Sequence, residues 1–147
     1  MVLNRPDAVP RQGVVLGVIG HDVHVVANRI LAIGLAENGY LPHNLGTDNE
    51  LDDFVDAALE TGARAVLIAS INGEGEYSCR EAGARFTAAG LAGVLRYAGG
   101  NLVVGDRPTG EVEAVFTSYG FHRVFHRPAS FAPVFDALRE DLAHGQP

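Results

Sequence analysis

The sequence predicts an α/β protein in which a parallel sheet carries helices on both faces. Three observations predict it. Short, largely apolar runs recur, as at 14–19, 65–68 and 94–98, with 65–68 unbroken, the composition needed by strands covered on both faces. Between them lie longer segments whose apolar residues recur every three or four positions, the period of a helix. The two kinds of segment alternate five times, and repeated strand-helix-strand units close into a parallel sheet through right-handed crossovers.

Each element can be justified in turn. The first strand, 14–19, ends at Gly20, and the loop His21-Asp22-Val23-His24 follows. Val25, Val26, Ile30, Leu31, Ile33, Leu35 and Ala36 predict a helix that is apolar on more than one side. Asn38-Gly39 closes it as a C-cap. Residues 40–45 predict a short second strand, and 46–49 a turn in which Asp48 or Asn49 caps the next helix. Leu51, Phe54, Val55, Ala58 and Leu59 fall at helical spacing, and Gly62 ends that helix. Residues 65–68 are the third strand, with a glycine-bearing loop at 70–75. Residues 77–89 predict a helix that Gly83 weakens. The fourth strand, 94–98, runs into Gly99-Gly100-Asn101. A helix at 111–118 and a fifth strand at 123–125 follow. Ser130 is placed to cap a last helix, from Phe131 to about Leu142. Five such units fit the strand order 2-1-3-4-5 of the flavodoxin-like fold. Ligands of such sheets sit beyond the carboxyl ends of strands one and three, where loops 20–24 and 69–75 meet.

Composition bounds the function. A chain of 147 residues suits one domain, expected at 13–147 behind a loose N-terminal tail at 1–12. That tail has two prolines and no apolar core of a signal peptide. Hydrophobic residues make up 47% and charged residues 20%, the balance of a soluble globular protein. Eleven arginines, with no lysine, face eighteen acidic residues for a net charge of −7. This balance speaks against a nucleic-acid or anionic-membrane partner, and no apolar run reaches the length of a membrane span. A single cysteine, Cys79, excludes an internal disulfide and fits a reducing, cytoplasmic compartment.

Chemistry concentrates at Asp22 and His24. In an extended loop, residues two apart point to the same side. The carboxylate can hold one ring nitrogen of the histidine and leave the other free for a metal. The plainer reading of Asp22 is an N-cap of the helix that follows. His43, His122, His126 and His144 lack metal spacing and read as surface residues. Glu74 and Glu76 read as solvated charges, with Glu76 suited to a first helical turn. Cys79 has no activating neighbour in the sequence and reads as structural.

Three segments, Asp22-Val23-His24-Val25-Val26-Ala27, Ala69-Ser70-Ile71 and Gly99-Gly100-Asn101, resemble the D-x-H-x-x-G, S-x-L and G-G segments of one family. That family is the B12-binding small subunit of glutamate mutase (methylaspartate mutase). The resemblance runs from about Val14 to about Leu142. It includes GVIG at 17–20, GEGE at 73–76 and GGNLVVG at 99–105. It implies adenosylcobalamin as cofactor. His24 would displace the cofactor's own dimethylbenzimidazole as lower axial ligand of cobalt, with Asp22 as its partner. His21, Val23 and Val25 would lie beside the corrin. The displaced nucleotide tail would lie against Ala69, Ser70, Ile71, Gly73, Gly99, Gly100, Asn101, Leu102, Val103, Val104 and Gly105, with Ser70 able to donate a hydrogen bond. Three positions depart from the family: Ala27 replaces a glycine, Ala69 a serine and Ile71 a leucine. The first two bear on affinity.

The resemblance further implies an isomerase subunit that is inactive alone. A separate large TIM-barrel subunit would hold the substrate in a heterotetramer. Homolysis of the cobalt–carbon bond would give the adenosyl radical, and L-glutamate and 3-methylaspartate would interconvert. Two alternatives carry the same fold. One is the corrinoid module of another B12 mutase or of a methyltransferase, which shares D-x-H. The other is a non-enzymatic receiver-like signalling domain. A receiver needs an acidic pair after strand one, an aspartate ending strand three and a lysine, and this chain has Ser70 near that position and no lysine.

Overall fold

The structure, a computed structural model, describes residues 11–21 and 25–144. Its strands are β1 (Gly13–Val18), β2 (Leu41–Asn44), β3 (Ala65–Ser70), β4 (Leu95–Gly100) and β5 (Arg123–His126). They form one sheet in the order β2-β1-β3-β4-β5, every pairing parallel, as the alternation predicts. The helices are α1 (Val26–Glu37), α2 (Leu51–Thr61), α3 (Gly75–Ser78), α4 (Ala82–Ala88), α5 (Thr109–Ser118) and α6 (Ala132–His144). Of the expected tail, Arg11 and Gln12 are described, and the Gln12 carbonyl accepts the Leu41 N–H at 2.9 Å.

Alternation along the strands sends side chains to two cores. Val15, Val66, Ile68 and Ala98 pack under α2, α4 and α5 with Phe54, Phe86 and Phe116. Val14, Leu16, Ala65, Leu67 and Tyr97 pack under α1 and α6 with Leu31, Leu35, Val134 and Leu138. Gly34 brings the two helices of the second core together, because a β-carbon there would collide with the Phe135 ring. The helix at 26–37 is apolar on more than one side, as expected. Leu31 and Leu35 face the core, while Val26, Ile30 and Ile33 are exposed.

Several boundaries differ from expectation. The helix expected at 77–89 is two short helices. The Gly83 N–H donates to the Tyr119 carbonyl at 2.8 Å, and a β-carbon on Gly83 would lie 3.0 Å from the Gly120 backbone. Glycine against glycine lets the end of α5 approach closely enough to claim the amide. Asp48 and Asn49 do not cap α2. Glu50 stands at its N-cap, and its own N–H is held by the Asp53 carboxylate at 2.8 Å. Asp48 has φ 61°, and buried Asn49 donates to the Val18 and Gly46 carbonyls, both at 3.1 Å. The Asn38-Gly39 C-cap is present, with Gly39 at φ 89°. Strands β3 and β4 run two residues past their apolar cores, to Ser70 and Gly100. That extension places the functional loops.

Candidate ligand-binding site

The carboxyl edge of the sheet opens on the α1–α6 face into a cleft of about 290 Å³. Helix α1 supplies Ala27, Asn28 and Leu31, and α6 with its approach supplies Phe131 and Val134. The floor is Ala69 of β3 and Ile71 after it, Tyr97, Gly99 and Gly100 of β4, and Phe125 of β5. Arg127 is the one charged residue of the lining among the described residues. Such a space, apolar with a few polar groups, suits a flat heterocycle.

The floor is bare for two different reasons. Gly100 has φ +102°, and a β-carbon on it would collide with the Ser70 carbonyl. There the backbone itself demands glycine. At Gly99 a β-carbon would meet only ordinary contacts, the nearest at 3.6 Å. Packing does not require that glycine, and its effect is to keep the floor flat.

Among the described residues, the buried polar side-chain atoms of the cleft are spent on the protein, with one exception. Tyr97 donates its hydroxyl to Asp141 of α6, and Arg123 of β5 grips the same carboxylate through two bonds of 2.7 Å. The Arg123 guanidinium holds the Asp141 carboxyl below its ordinary range, whereas burial and then Asp141 push the Tyr97 phenol up. Arg127, at φ 50°, donates to the Asn101 side-chain oxygen at 2.9 Å and to the Gly105 carbonyl at 3.0 Å. The exception is Asn28, which is buried and whose Oδ1 has no hydrogen-bond partner.

The exit of β1 is pinned from both sides. Ile19 N–H donates to the Ala69 carbonyl at 2.9 Å, and Gly20 N–H to the Asn49 carbonyl at 2.8 Å. His21 N–H donates to Glu74 at 3.0 Å, and its ring Nδ1 lies 3.2 Å from Asp48. Gly20, at φ +80°, has a backbone conformation that favours glycine, and a β-carbon there would displace the end of the Glu74 side chain. Glu74 is therefore a clasp and not a free charge. Glu76 is paired with Arg107 at 2.5 Å. No group of three or more His, Cys, Asp or Glu residues suited to a metal occurs among the described residues.

The expected site residues divide. Ala69, Ile71, Gly99, Gly100 and Asn101 line the cleft. Ser70 does not: it is fully buried, and its hydroxyl accepts the Gly75 N–H at 2.9 Å. One residue's shift along β3 turns it away from the cleft, so the cleft has a methyl where the family motif has serine. Gly73 is buried beside Val103, and Leu102 and Val103 turn into the α2–α5 core. Val104 and Gly105 are exposed, as are His21 and Val25 beside the β1 loop. Asp22, Val23 and His24 lie outside the described residues. Sequence reasoning missed Asn28, Tyr97, Phe125 and Arg127. Tyr97 could have been found from its place in β4, two residues before Gly99, on the same face.

Two histidines expected at the surface have backbone work instead. His122 Nδ1 accepts the Arg96 N–H at 3.0 Å, and His126 Nδ1 accepts the Leu102 N–H at 3.3 Å. Burial lowers the pKa of both. His126 Nε2 is buried without a partner. Cys79 is fully buried, and burial pushes its thiol up to about 12, so it is structural as expected.

No family model matches the chain. Among curated proteins it is 49% identical over 128 residues to the glutamate mutase sigma subunit of Carboxydothermus hydrogenoformans, covering 87% of this chain and 93% of that protein. The sigma subunit of Clostridium tetani is 41% identical, covering 90% and 96%. That of Treponema denticola is 44% identical, covering 76% and 80%. Among solved structures, the chain superposes on a cobalamin-binding protein from Desulfitobacterium hafniense DCB-2 with a TM-score of 0.71 at 21% identity, covering 88% of this chain. It superposes on the methanol:cobalamin methyltransferase complex MtaBC from Methanosarcina barkeri with a TM-score of 0.72 at 20% identity, covering 95%. It spans 58% and 50% of those two chains. At such identities these likenesses are likenesses of fold.

Proposed function

The chain belongs to the glutamate mutase sigma subunit family, and from that premise we propose that its cleft holds the nucleotide tail of cobalamin. The chain is the cobalamin-binding small subunit of an isomerase that interconverts L-glutamate and 3-methylaspartate. One observation carries the reading of the site. A glycine-floored, apolar slot opens at the switch point of the sheet, between β3–β4 and α1, the helix that Asp22 and His24 precede in the sequence.

The residues present fit the group. The bare Gly99–Gly100 floor and the Leu31 and Phe131 walls suit an aromatic base, and the unpartnered Asn28 oxygen suits a polar edge on it or its sugar. His24 would hold the cobalt, and Asp22 would fix its imidazole and raise its basicity. Bound adenosylcobalamin supplies a cleavable cobalt–carbon bond as a source of radicals. This chain's own part is placement. Glu74, Asn49 and Asp48 hold the start of the β1 loop against the sheet. Arg127 ties the β4 loop to the end of β5. Ala69 fills the position of the motif serine and gives the tail no hydroxyl.

A TIM-barrel partner subunit carries the substrate, in a heterotetramer, and the complex is cytoplasmic. Among the described residues no helix is long and apolar enough to cross a membrane.

Spin resonance of the chain loaded with cob(II)alamin tests the central assignment. With nitrogen-15-labelled protein, the superhyperfine pattern on cobalt is expected to change to that of nitrogen-15, and His24→Gly to abolish it while the fold survives. A pattern indifferent to labelling means that the cofactor's own base is the ligand, and the reading fails.

A further inference from the structure

Among the described residues of the cleft, Asn28 is the one with a buried side-chain polar atom that has no hydrogen-bond partner. It lies in the first turn of α1 and is 3% exposed. Its orientation is fixed by a chain of unambiguous donors. The Gly46 backbone N–H, which can only donate, gives its hydrogen to Asn44 Oδ1 at 2.9 Å. That oxygen also takes the Asn28 Nδ2–H at 2.7 Å. Rotating the Asn28 amide by half a turn would set two acceptor oxygens against each other at that distance. Asn28 Oδ1 is therefore the atom without a partner, a buried acceptor on a residue that lines the apolar cleft. Of the other polar side chains of the lining, the Tyr97 hydroxyl is taken by Asp141 and the Asn101 oxygen by Arg127.

We propose that Asn28 is a specificity-determining residue of the cleft: its side-chain carbonyl accepts a hydrogen bond from an N–H or O–H group of the buried nucleotide. The proposal rests on the cobalamin reading above. A buried acceptor left without a donor is costly, so the cleft favours tails that carry a donor and disfavours apolar ones of the same shape. An anionic group at this point is disfavoured as well, because it would face a carbonyl oxygen. Two parts of a corrinoid nucleotide can supply the donor, a hydroxyl of the ribose or an amino group on the base. Glycosylated dimethylbenzimidazole has no N–H, so with cobalamin itself the donor is the ribose.

Three corrinoids separate these cases in equilibrium titrations of the full chain: hydroxocobalamin, its analogue with adenine as the lower base, and cobinamide, which lacks the nucleotide. Asn28→Leu keeps roughly the same volume and removes the acceptor. It is expected to weaken hydroxocobalamin binding about tenfold and to leave cobinamide binding unchanged. A larger loss with the adenine analogue assigns the donor to the base amine, and equal losses assign it to the ribose. A second measurement needs no variant at this position. The side-chain carbonyl carbon of Asn28, labelled with carbon-13, is expected to shift on binding hydroxocobalamin and not on binding cobinamide. Asn44→Ala, which frees the Asn28 amide to rotate, is expected to lower hydroxocobalamin affinity by a smaller factor. Unchanged affinity in Asn28→Leu with no carbon-13 shift overturns the inference, and so does an equal loss for cobinamide. If the wild-type chain binds hydroxocobalamin no better than cobinamide, the assignment of the cleft to the nucleotide tail fails first.

Discussion

On the α2–α5 face of the sheet, Phe54, Phe86 and Phe116 are fully buried. On the α1–α6 face, Phe125, Phe131 and Phe135 are only partly buried, and two of them line the cleft. Both faces are built from the same strands, with residues alternating between them. The closed face packs rings edge against ring, as Phe116 does with Tyr119 at 5.5 Å between centroids. On the open face a tilted pair, Tyr97 and Phe125 at 5.6 Å, lines the cleft, and beside it the floor is Gly99 and Gly100. The closed face holds the three fully buried phenylalanines, and the other ends in a cleft.

Truncating a ring on each face tests this division most directly. Phe116→Ala removes a fully buried side chain and is expected to cost about 3–5 kcal/mol of stability. Phe131→Ala removes a partly exposed one and is expected to cost less than half as much, while weakening corrinoid binding. Urea unfolding and corrinoid titration of both variants check this. Equal losses of stability would mean that the open face is as integral to the fold as the closed one.

The two glycines of the floor refine the comparison. Gly100→Ala forces a β-carbon onto the Ser70 carbonyl at a positive φ, and an effect of about 1–3 kcal/mol is expected. Gly99→Ala meets no such obstacle. It is expected to change the melting temperature little and to lower corrinoid affinity, because its methyl stands on the floor of the cleft. The neighbours thus separate a glycine the backbone needs from one the ligand needs. Thermal melts with and without cobalamin distinguish them, and a stable Gly100→Ala would remove the distinction.

Much of this architecture was legible in the sequence because apolar patterning carries strand order and helix faces. Five alternations sufficed for the sheet, and the glycine pairs marked the edge where the cleft lies. What patterning cannot carry is the partner of a polar atom. Ser70 reads as a candidate donor beside a motif position, yet period-two alternation turns it toward Gly75. Glu74 reads as a solvated charge, yet it holds the His21 amide fifty-three residues away. Asn28 reads as an ordinary helix residue, since its hydrogen-bond partner, Asn44 of β2, lies sixteen residues away. The Gly83 break depends on Gly120, a contact with no local signal.

The smallest effect expected concerns the clamp that sets the width of the open face. Asp141 of α6 accepts two hydrogen bonds from Arg123 of β5 and one from Tyr97 in the cleft floor. It therefore fastens α6 to the edge of the sheet. The Arg123 guanidinium is the main reason that the carboxyl titrates below its ordinary 3.8. A carboxylate whose pKa is depressed by folding contributes stability above its unfolded pKa and loses it as pH falls through its folded pKa. Asp141→Asn keeps the shape and removes the charge. Because Arg123 is more than a third exposed, solvent screens the pair, and a loss of about 1 kcal/mol is expected at pH 7. Between pH 7 and pH 5 the gap between wild type and variant is expected to stay constant. Below about pH 4 it is expected to narrow, as the wild-type carboxyl takes up its proton in the unfolded chain before the folded one. Urea midpoints measured across that range decide it: a gap that widens in acid would mean that the clamp acts through its shape and not through its charge.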